Sequence, residues 1–524
     1  PGSEGAIREI EEAKSESFRI GYPVMIKASS GGGGKGMRVV EREEELEAAM
    51  QAAMNEARSS FGDDRVFIEK FVTQPRHIEI QVLADTHGNV IFLGERECSI
   101  QRRHQKVIEE APSCLLSPQT RKAMGQQAIA LSKAVNYRSA GTVEFIVGAN
   151  EDFYFLEMNT RLQVEHPVTE LVYNVDLVSL MIEIAAGQKL ALEQDSVLAN
   201  GWAMEARIYA EDSQRGFLPS IGQLIEYKEP FLEKIRVDSG VQEGNHITMF
   251  YDPMVAKIVS HGTDRAECIT KLSKALDHYK ISGVETNIQF LSAILLDKDF
   301  NSGSITTNFI DDKFGGKFIP LKPDKELEKK FLALSAAILM PVFYQSYPEE
   351  PNKAVNILQI SYGEYFVADW RNYDGTHVVT IDGRQYEVTG QVTKSMTLFT
   401  GQINGEDMPV KVSREYNKVT LFAGPYSIMI RILPAIADNL IKFMPEPNLL
   451  SGTLKVTAPM PGMLTKLLVS EGDRLFSGQQ VAIIEAMKME NSLRCEIDCI
   501  VESVHVKEGD LLNVNDLILS LTEN

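Results

Sequence analysis

The sequence predicts a multidomain α+β protein whose C-terminal part is built from β-strands. Residues 1 to about 318 alternate helical and strand patterns, whereas residues 355–432 carry β-branched and aromatic runs separated by turn dipeptides. An internal repeat near the end of the chain adds a second β-rich region. The length of 524 residues accommodates about two to four domains, each with its own core.

The composition is that of a globular protein, and it excludes several functional classes. Hydrophobic residues make up 44% of the chain, and no run approaches the length of about 18 apolar residues that a membrane-spanning helix needs. The net charge is −20, from 73 acidic and 53 basic residues, so neither nucleic acid nor an anionic membrane is expected as a partner. Five scattered cysteines, an odd number, predict free thiols in a reducing compartment.

The first chemical motif is the glycine run at residues 31–36, GGGGKG, which satisfies the pattern GxGxxG. A Walker loop needs Ser or Thr after the lysine, and both it and a Rossmann turn need a following helix, but Gly36 and a strand pattern stand here. A flexible linker is disfavoured because strand patterns at 24–26 and 37–40 flank the run closely. The run predicts a hairpin loop whose backbone N–H groups close over phosphates, with Lys27 supplying a charge.

Two glutamates are predicted to oppose each other in a β-hairpin. Strand patterns at 141–147 and 153–157 flank turn residues, and the midpoint between Glu144 and Glu157 falls in that turn. Two solvated surface glutamates would be the plainest explanation, but both have apolar neighbours, and directly opposed carboxylates repel each other in a sheet. We therefore expect a divalent cation to bridge them, and oxygen ligands suit Mg²⁺ or Mn²⁺.

A row of polar residues follows at every second position. The alternation predicts that the second strand of the hairpin continues to residue 165, with the polar side chains on one face. The solvated face of an edge strand is the commonest reason for such alternation. Carboxylate, amide and guanidinium groups in one line also suit a metal ion at one end and a small oxyanion at the other. The row consists of Glu157, Asn159, Arg161, Gln163 and Glu165.

Cations gather at residues 101–106, QRRHQK, within this acidic protein. A solvated basic run accounts for part of that density. The preceding strand pattern at 76–81, RHIEIQ, adds a second polar strand edge. An anionic substrate would have to be bound by cations placed locally in this way.

A helix and a small antiparallel barrel are predicted after residue 318. Apolar residues recur at helical spacing over residues 324–340, after a break marked by Pro320 and Pro323. The strand patterns beyond it are joined by tight turns, and residues 445–452 form a linker to the last region. The turns are Asp382-Gly383, Asn404-Gly405 and Gly424-Pro425.

The C-terminal region contains an internal repeat around a lysine. Residues 469–473, VSEGD, recur 37 residues later as residues 506–510, VKEGD, and each copy leads into an apolar run. The repeat predicts two similar β-halves folded face to face. A lone lysine is usually a solvated surface residue. Lys488, however, stands between two methionines in the segment EAMKMEN (485–491), where the two halves connect. Lys488 is therefore predicted to be a presented side chain that projects from the domain.

This segment, together with APMPG at 458–462, resembles the biotinyl (biotin carboxyl carrier) domain, an all-β fold of lipoyl type. The Asp-Lys-Ala context of lipoyl domains is absent. The resemblance implies that the Lys488 amine is joined to biotin by an amide, which a biotin protein ligase forms.

The clusters within residues 1–318, in their order, resemble the biotin carboxylase domain of the ATP-grasp superfamily. The resemblance implies that ATP activates bicarbonate to carboxyphosphate, which then carboxylates biotin, with Mg²⁺ or Mn²⁺ as the metal. Bicarbonate is the substrate. The implied nucleotide site consists of Lys27, Gly31, Gly32, Gly33, Gly34, Gly36, Glu69, Lys70, His77 and Gln101.

The same resemblance assigns the residues of the reaction centre. Glu144 and Glu157 match the metal ligands, with Asn159 beside them. Glu165 matches the general base that deprotonates bicarbonate, a poor nucleophile until it loses its proton, and Arg207 matches the residue that stabilises charge on biotin. The bicarbonate pocket is matched by Lys106, Arg161, Gln163 and Val164.

The order of regions narrows the resemblance to the α subunits of biotin-dependent acyl-CoA carboxylases. We expect a partial ATP-grasp biotin carboxylase domain at 1–318, a subunit-tethering (BT-like) helix-plus-antiparallel-β-barrel domain at 319–446 and a biotinyl domain at 447–524. The tethering region, approached through 227–230 and 236–240, resembles that of propionyl-CoA carboxylases. Methylcrotonyl-CoA carboxylases, a non-catalytic biotin carrier and an ATP-grasp ligase for another carboxylate are the alternatives.

The resemblance also implies partners, a location and a longer parent chain. The acyl-CoA site is expected on a separate carboxyltransferase β subunit, in an α6β6-type assembly, within the mitochondrial matrix or, in a bacterium, the cytoplasm. In the family, a doubly wound domain and an ATP-contacting lysine precede the segment that begins here at Pro1. We therefore expect an N-terminally truncated carboxylase that binds ATP weakly or is inactive by itself.

Overall fold

The structure, a computed structural model, divides into two compact units, and each is described by itself. The first unit comprises Pro1–Ala203 and Gly303–Ile310, and the second comprises Met204–Ser302 and Asp311–Asn524. The structure describes residues 1–29, 37–103, 105–346, 355–359, 364–392, 398–415, 418–434, 443, 454–476, 479–486, 489–495 and 499–523.

The first unit begins with a small antiparallel sheet covered by two helices. Its elements are α1 (Ile10–Ile20), β1 (Val24–Ala28), β2 (Met37–Val40), α2 (Glu43–Phe61) and β3 (Val66–Lys70), with strand order β2-β1-β3. Alternate residues of β1, Val24 and Ile26, are fully buried against Leu46 of α2 because one face of the sheet is apolar. The predicted strands on either side of the glycine run are confirmed, and residues 30–36 lie outside the described residues.

A larger antiparallel sheet follows and carries the polar clusters. Its strands and helices are β4 (Arg76–Ala84), β5 (Val90–Arg102), β6 (Gln105–Ala111), α3 (Pro118–Ala134), β7 (Ser139–Val147) and β8 (Phe153–Asn159), and the order is β6-β5-β4-β7-β8. Ile78 and Ile80 of β4 pack with Met124 and Ala128 of α3. Because side chains alternate along a strand, Glu79 lies on the opposite face of the sheet, away from α3.

The predicted continuation of β8 through residue 165 is wrong. The strand ends at Asn159, and the chain turns into α4 (His166–Tyr173), followed by α5 (Leu177–Ala185). Gln163 and Glu165 are 4% and 2% exposed, because their side chains enter a polar network beneath the turn instead of a solvated strand face. The alternation of polar residues beyond Asn159 therefore belongs to a turn, in which Gln163 and Glu165 are buried in hydrogen bonds.

The second unit opens with β-strands and short helices. These are β9 (Trp202–Tyr209, which begins in the first unit), β10 (Glu211–Asp212), β11 (Leu218–Pro219), β12 (Gly222–Gln223), β13 (Glu226–Lys228), β14 (Ile235–Ser239), β15 (His246–Ile247), β16 (Met254–Gly262), α6 (Arg265–His278), β17 (Lys280–Ser282), α7 (Ile288–Leu296), α8 (Lys298–Ser302) and α9 (Phe309–Phe314, which also begins in the first unit). Strands β14, β16 and β9 are neighbours in one sheet.

The predicted helix and barrel are confirmed. Helix α10 (Lys325–Ser346) precedes β18 (Val355–Gln359), β19 (Glu364–Tyr373), β20 (Thr376–Ile381), β21 (Arg384–Val392), β22 (Leu398–Ile403), β23 (Glu406–Asp407), β24 (Val410–Glu415), β25 (Lys418–Ala423) and β26 (Tyr426–Pro434). The strand order is β21-β20-β19-β18-β26-β25-β24-β22-β23. Strand β21 also pairs with β22, and this pairing closes the sheet into a barrel. Nearly every residue from Phe331 to Met340 is buried, because the barrel core surrounds this apolar part of α10. Among the described helices, none is long and apolar enough to cross a membrane.

The C-terminal region consists of two four-stranded antiparallel sheets. Its strands are β27 (Leu454–Thr457), β28 (Gly462–Leu467), β29 (Arg474–Leu475), β30 (Gln480–Ala486), β31 (Met489–Arg494), β32 (Cys499–Val504), β33 (Leu511–Leu512) and β34 (Leu517–Glu523). The orders are β27-β34-β32-β29 and β31-β30-β28-β33, so each sheet combines strands from both sequence halves. Apolar residues of both sheets form one core.

Matching hydrogen bonds show that the 37-residue repeat is structural. Gly472 N–H donates to the Val501 carbonyl at 2.8 Å, and Gly509 N–H donates to the Leu464 carbonyl at 2.7 Å. Both glycines have a left-handed φ, +89° and +92°, which explains why the repeated motif contains glycine at this point. The prediction of two similar β-halves is confirmed, and the strands are exchanged between the sheets.

Candidate active site

The two predicted metal-ligand glutamates face each other on neighbouring strands. Glu144 of β7 and Glu157 of β8 are register partners, as predicted. The Asn159 side chain lies between them, because its Nδ2 donates to Glu144 Oε1 at 2.9 Å and to Glu157 Oε1 at 3.3 Å. Two carboxylates and one amide therefore converge on one point at the edge of the sheet.

A buried arginine organises the polar face of this sheet. Arg96 of β5 is fully buried and its Nε donates to Glu79 Oε1 at 2.5 Å. Its Nη2 donates to Gln163 Oε1 at 2.7 Å, and the Gln163 amide donates in turn to Glu144 Oε1 at 2.7 Å. Further Arg96 donors reach Gln81, Thr142 and Thr169.

Lys106 connects the metal-ligand end of the site with the predicted base. Its Nζ lies 2.5 Å from Glu165 Oε1, 2.6 Å from Glu79 Oε2 and 3.5 Å from Glu144 Oε1. Glu165 and Glu144 are thereby linked through one ammonium group. Glu165 is also the residue that precedes helix α4, so the helix start determines where its carboxylate lies.

His77 and Gln101, predicted to line the nucleotide site, form a chain of hydrogen bonds with Glu144. Gln101 Nε2 lies 2.6 Å from His77 Nδ1, and His77 Nε2 lies 2.9 Å from Glu144 Oε2. Because the Gln101 amide is a donor, Nδ1 accepts and the ring proton lies on Nε2, which donates to Glu144. This arrangement orients the carboxylate that the metal would need.

The charge balance of the network suits a divalent cation. The carboxylates of Glu79 and Glu144 lie beside the cations of Arg96 and Lys106, and the side chains of Glu157 and Glu165 add further acidic groups at the two ends of the site. The ligand atoms of His77, Glu79 and Glu144 also lie within 4.8 Å of one another, but the Lys106 ammonium next to Glu79 repels a metal cation there. The donor set Glu144, Glu157 and Asn159 fits a hard cation better, because Glu157 is exposed and both carboxylates offer oxygen ligands.

The pKa shifts follow from this packing. Burial alone would raise the pKa of Glu79, but the charges of Arg96 and Lys106 outweigh it and lower the pKa to about 2. For Glu144, burial is likewise outweighed, by the hydrogen bond from His77 and the charge of Lys106, and the pKa falls to about 2. Burial lowers the pKa of Lys106, yet the surrounding negative groups raise it well above its ordinary value. All three groups are charged at neutral pH.

The remaining predicted residues are placed as follows. Lys27 forms an ion pair with Glu69 on the neighbouring strand β3, so these two are brought together. Lys70 is not brought to that pair, because its Nζ donates to the carbonyls of Gly21 at 2.8 Å and Tyr22 at 3.0 Å. Arg161 is exposed and donates to Asn159 Oδ1 at 3.3 Å. Val164 is half-buried in the turn before α4.

Three predicted groups belong to the second unit or lie outside the described residues. Arg207 is buried on β9 in the second unit, where the Asn287 amide donates to its carbonyl at 3.0 Å. The glycines of the run at 31–36 and Lys488 lie outside the described residues. Strands β30 and β31, which flank Lys488 in the sequence, end and begin at the register partners Ala486 and Met489.

Sequence reasoning did not single out Glu79 and Arg96. The sequence carries a signal for Glu79, because His77, Glu79 and Gln81 alternate along a strand pattern with a polar edge. Arg96 gave no comparable signal, since its importance comes from its pairing with Glu79 across β4 and β5, which no local pattern encodes.

Replacing Arg96 with lysine is expected to lower turnover about 10- to 100-fold, as loss of an outer partner of a metal ligand does. Lysine keeps the charge but lacks the planar guanidinium whose Nε and Nη2 reach Glu79 and Gln163 from separate atoms, so Gln163 no longer positions Glu144. The measurement is bicarbonate-dependent ATP cleavage by the holoenzyme as a function of Mg²⁺ concentration. Arg121→Lys, which alters the ion pair with Glu95, is the matched control and should change turnover less than about threefold. An unchanged rate in Arg96→Lys would contradict the positioning role.

The free energy of unfolding is expected to fall as the pH falls from about 4.5 to about 2. Glu79 and Glu144 have lowered pKa values in the folded protein, so the unfolded chain binds protons that the folded chain does not. The stabilisation that these two ionised carboxylates give the folded protein is therefore complete above the ordinary glutamate pKa of about 4.5. It is lost as the pH falls from there to about 2. Urea unfolding at several pH values measures it, and the dependence should be shallower in Glu144→Gln. Equal slopes in parent and variant would refute the shift assigned to Glu144.

Family models match most of the chain. Residues 1–193 match the carbamoyl-phosphate synthase L chain ATP binding domain, and residues 205–312 match the biotin carboxylase C-terminal domain. Residues 347–446 match the propionyl-coenzyme A carboxylase BT domain, and residues 454–521 match the model described as biotin-requiring enzyme.

Similar proteins of known identity extend over nearly the whole chain. The mitochondrial propionyl-CoA carboxylase alpha chain of Mus musculus is 43% identical over 99% of this chain and 74% of its own length. The corresponding chain of Ruegeria pomeroyi is 43% identical over 99% of this chain and 80% of its own. The mitochondrial methylcrotonoyl-CoA carboxylase subunit alpha of Dictyostelium discoideum is 39% identical over 99% of this chain and 76% of its own length.

A solved structure agrees with the first part of the chain. The biotin carboxylase domain of Hydrogenobacter thermophilus 2-oxoglutarate carboxylase, in complex with MgADP and bicarbonate, is 46% identical and has a TM-score of 0.55. The match covers 60% of this chain and 69% of that one. These similarities confirm the expected fold class, the ATP-binding and biotin-requiring domains, and the biotin-dependent carboxylase activity of ligase type. With 43% identity across nearly its full length, the chain belongs to the propionyl-CoA carboxylase alpha chain family.

Proposed function

We propose that this chain uses ATP and bicarbonate to carboxylate biotin attached to its own Lys488, and that a separate carboxyltransferase β subunit passes the carboxyl group to propionyl-CoA. The observation that carries this proposal is the buried network that joins Glu144 to Glu165 through Lys106. One end offers oxygen ligands to a metal, and the other offers a carboxylate base. An ATP-dependent reaction of a small oxyanion needs both ends.

The protein groups have distinct roles in the proposed reaction. When bound, the divalent cation neutralises phosphate charge and biotin carries the carboxyl group. Glu144, Glu157 and Asn159 would hold the metal. Glu165 takes the proton of bicarbonate, while the exposed Arg161 guanidinium and the Lys106 ammonium bind the anion beside it. Gln163 and Val164 complete the bicarbonate pocket.

The nucleotide site is proposed to involve both sheets of the first unit. Lys27 and the glycine run at 31–36 bind the phosphates, Glu69 and Lys70 lie in the segment that meets adenine, and His77 and Gln101 line the site. The Lys27–Glu69 ion pair supports this placement for Lys27, because phosphates can replace Glu69 as the partner of the ammonium. Lys70 supports the placement of Lys27 indirectly, because its hydrogen bond to the Gly21 carbonyl fixes the turn before β1, the strand that carries Lys27. Arg207 is proposed to stabilise charge on biotin.

The domain limits follow the same proposal. We assign residues 1–318 to the carboxylase, 319–446 to subunit tethering and 447–524 to the biotinyl domain. A biotin protein ligase would modify Lys488, and the α and β subunits would assemble in an α6β6-type complex. The mitochondrial matrix is the proposed location, by analogy with the Mus musculus relative, and the Ruegeria pomeroyi relative supports the bacterial cytoplasm as the alternative.

The acyl substrate is tested with the native holoenzyme and a panel of acyl-CoAs. Propionyl-CoA should be carboxylated with the highest kcat/KM, because the BT domain match favours that family. Methylcrotonyl-CoA is the second candidate substrate, supported by the Dictyostelium discoideum relative. A preference for methylcrotonyl-CoA would overturn the proposed acyl substrate and leave the proposed mechanism of biotin carboxylation unchanged. Biotinylated protein that never cleaves ATP with bicarbonate would instead support a carrier function.

A further inference from the structure

Two of the five cysteines contact each other in the core of the C-terminal region. Cys495 follows strand β31 of one sheet, and Cys499 is the first residue of β32 in the other sheet. Their sulfur atoms lie 3.2 Å apart, a contact in which one thiol donates to the other. The two residues are 2% and 0% exposed, and they pack among the apolar side chains of both sheets.

Backbone hydrogen bonds fix the positions of both cysteines. The Cys495 N–H donates to the Gln479 carbonyl at 2.8 Å. Cys499 is a register partner of Leu475 on β29 and of Glu523 on β34, so its backbone lies between two paired strands. The contact between the two sulfur atoms therefore follows from the pairing of the strands and does not depend on a side chain at the surface.

Two simpler roles explain this pair less well. A buried thiol often acts only as a small apolar side chain, but that role requires no second sulfur beside it. Metal binding by thiolates normally uses about four ligands in a tetrahedral arrangement. Among the residues that the structure describes, the groups of three possible metal ligands all belong to the first unit. Formation of a disulfide needs only two thiols in contact.

We propose that Cys495 and Cys499 form a site of reversible oxidation, at which a peroxide converts the two thiols into an intramolecular disulfide. The new bond links the end of β31 to the start of β32 and so joins the two sheets covalently. It also protects the sulfur atoms from irreversible oxidation to sulfinic and sulfonic acids. A dithiol reductant restores both thiols by exchange.

The reaction has two steps, which together transfer two electrons from sulfur to the peroxide. In the first step, one sulfur attacks a peroxide oxygen, the O–O bond breaks, and a sulfenic acid forms. The other oxygen leaves as hydroxide and takes the proton of that thiol to become water. In the second step, the neighbouring sulfur attacks the sulfenic sulfur, the S–S bond forms, and the hydroxyl group leaves with the second thiol proton as another water.

Burial limits the rate of the first step and directs the second. Both cysteines lie at strand ends, where local opening costs less free energy than at strand centres, so a molecule as small as hydrogen peroxide reaches a sulfur during brief opening. After the strand recloses, the sulfenic acid lies beside the second thiol, whereas bulkier external thiols are excluded. The intramolecular attack is therefore faster than further oxidation, because the reacting atoms are held in contact.

The test treats the native full chain with hydrogen peroxide, alkylates the remaining thiols under denaturing conditions and maps the products by mass spectrometry. Trypsin releases both cysteines on one peptide, residues 495–507, because Arg494 precedes it and Lys507 is the next cleavage site. This peptide should carry no alkyl group and should be about 2 Da lighter than the dithiol form. Treatment with dithiothreitol before alkylation should restore both thiols.

Single substitutions test whether each sulfur needs the other. Neither Cys495→Ala nor Cys499→Ala should form a disulfide within this peptide. In the variant that retains the sulfur attacked first, that sulfur should gain about 32 or 48 Da, and dithiothreitol should not reverse the change. Cys114→Ala is the matched control, since the Cys114 thiol contacts the Gly303 carbonyl within the first unit. It should form the disulfide between Cys495 and Cys499 as the parent chain does.

The parent chain gives the decisive result, so a variant that fails to fold does not affect the test. Thiols that stay unchanged in the native chain, at a peroxide concentration that oxidises the cysteines of the urea-unfolded chain, would overturn the inference. Irreversible oxidation of the pair in the native chain, or a disulfide from either residue to another cysteine, would overturn it as well. The measurement requires neither biotin nor ATP, so its outcome is independent of the proposed function.

Discussion

Replacing Lys488 with arginine is expected to abolish biotin incorporation and, with it, carboxylation of any acyl-CoA. Formation of the amide needs a neutral amine as the nucleophile, and the guanidinium group stays protonated at any physiological pH. Arginine keeps the positive charge, so a loss cannot be attributed to electrostatics. Streptavidin blotting and mass spectrometry of the purified holoenzyme measure the incorporation.

The matched control for Lys488→Arg is Lys466→Arg, at an exposed lysine on β28 of the same region. It should leave biotin incorporation unchanged. ATP cleavage stimulated by free biotin should also persist in Lys488→Arg, because the proposed carboxylation site lies elsewhere in the chain. Biotin found on the Lys488→Arg chain would contradict the assignment of the modified residue.

Replacing Glu165 with glutamine is expected to lower kcat about 10²- to 10⁴-fold, the usual contribution of a positioned general base. The amide has the same shape and can still accept a hydrogen bond from Lys106, but it cannot take a proton from bicarbonate. Glu165 is not among the proposed metal ligands, so the affinity for MgATP should change little. The measurement is bicarbonate-dependent ATP cleavage, with kcat and the KM for MgATP determined separately.

Glu151→Gln provides the matched control for Glu165→Gln. Glu151 accepts hydrogen bonds from Ser117 at the start of α3 and does not contact the network around Lys106 in the described structure. The control should retain kcat within about threefold. If Glu165→Gln lowers MgATP affinity and leaves kcat unchanged, Glu165 has a binding role and the proposed base is wrong.

The sequence predicted those features that depend on local periodicity or repetition. The opposition of Glu144 and Glu157 followed from the symmetry of a hairpin about its turn, and the structure has that register. The closed barrel followed from tight turns between β-branched runs. The C-terminal double sheet followed from the 37-residue repeat, although the exchange of strands between the sheets required the structure.

Features that depend on long-range burial were missed or predicted wrongly. The polar alternation beyond Asn159 was assigned to a strand, because a turn in which Gln163 and Glu165 are buried has the same local pattern. Arg96 was overlooked because it contacts Glu79, Gln163 and Thr169 from a distant part of the sequence. The hydrogen bonds by which Lys70 stabilises the turn before β1 were not foreseen either. These contacts are established by packing and leave no periodic trace.

The most direct measurement is the transfer of labelled carbon from bicarbonate to the native, biotinylated protein purified from its source on an avidin resin. With MgATP, label should become bound to the chain and then move to added propionyl-CoA, and omission of ATP should prevent both. Protein that carries biotin on Lys488 but binds no label, with ATP and an active β subunit present, would contradict carboxylation by this chain.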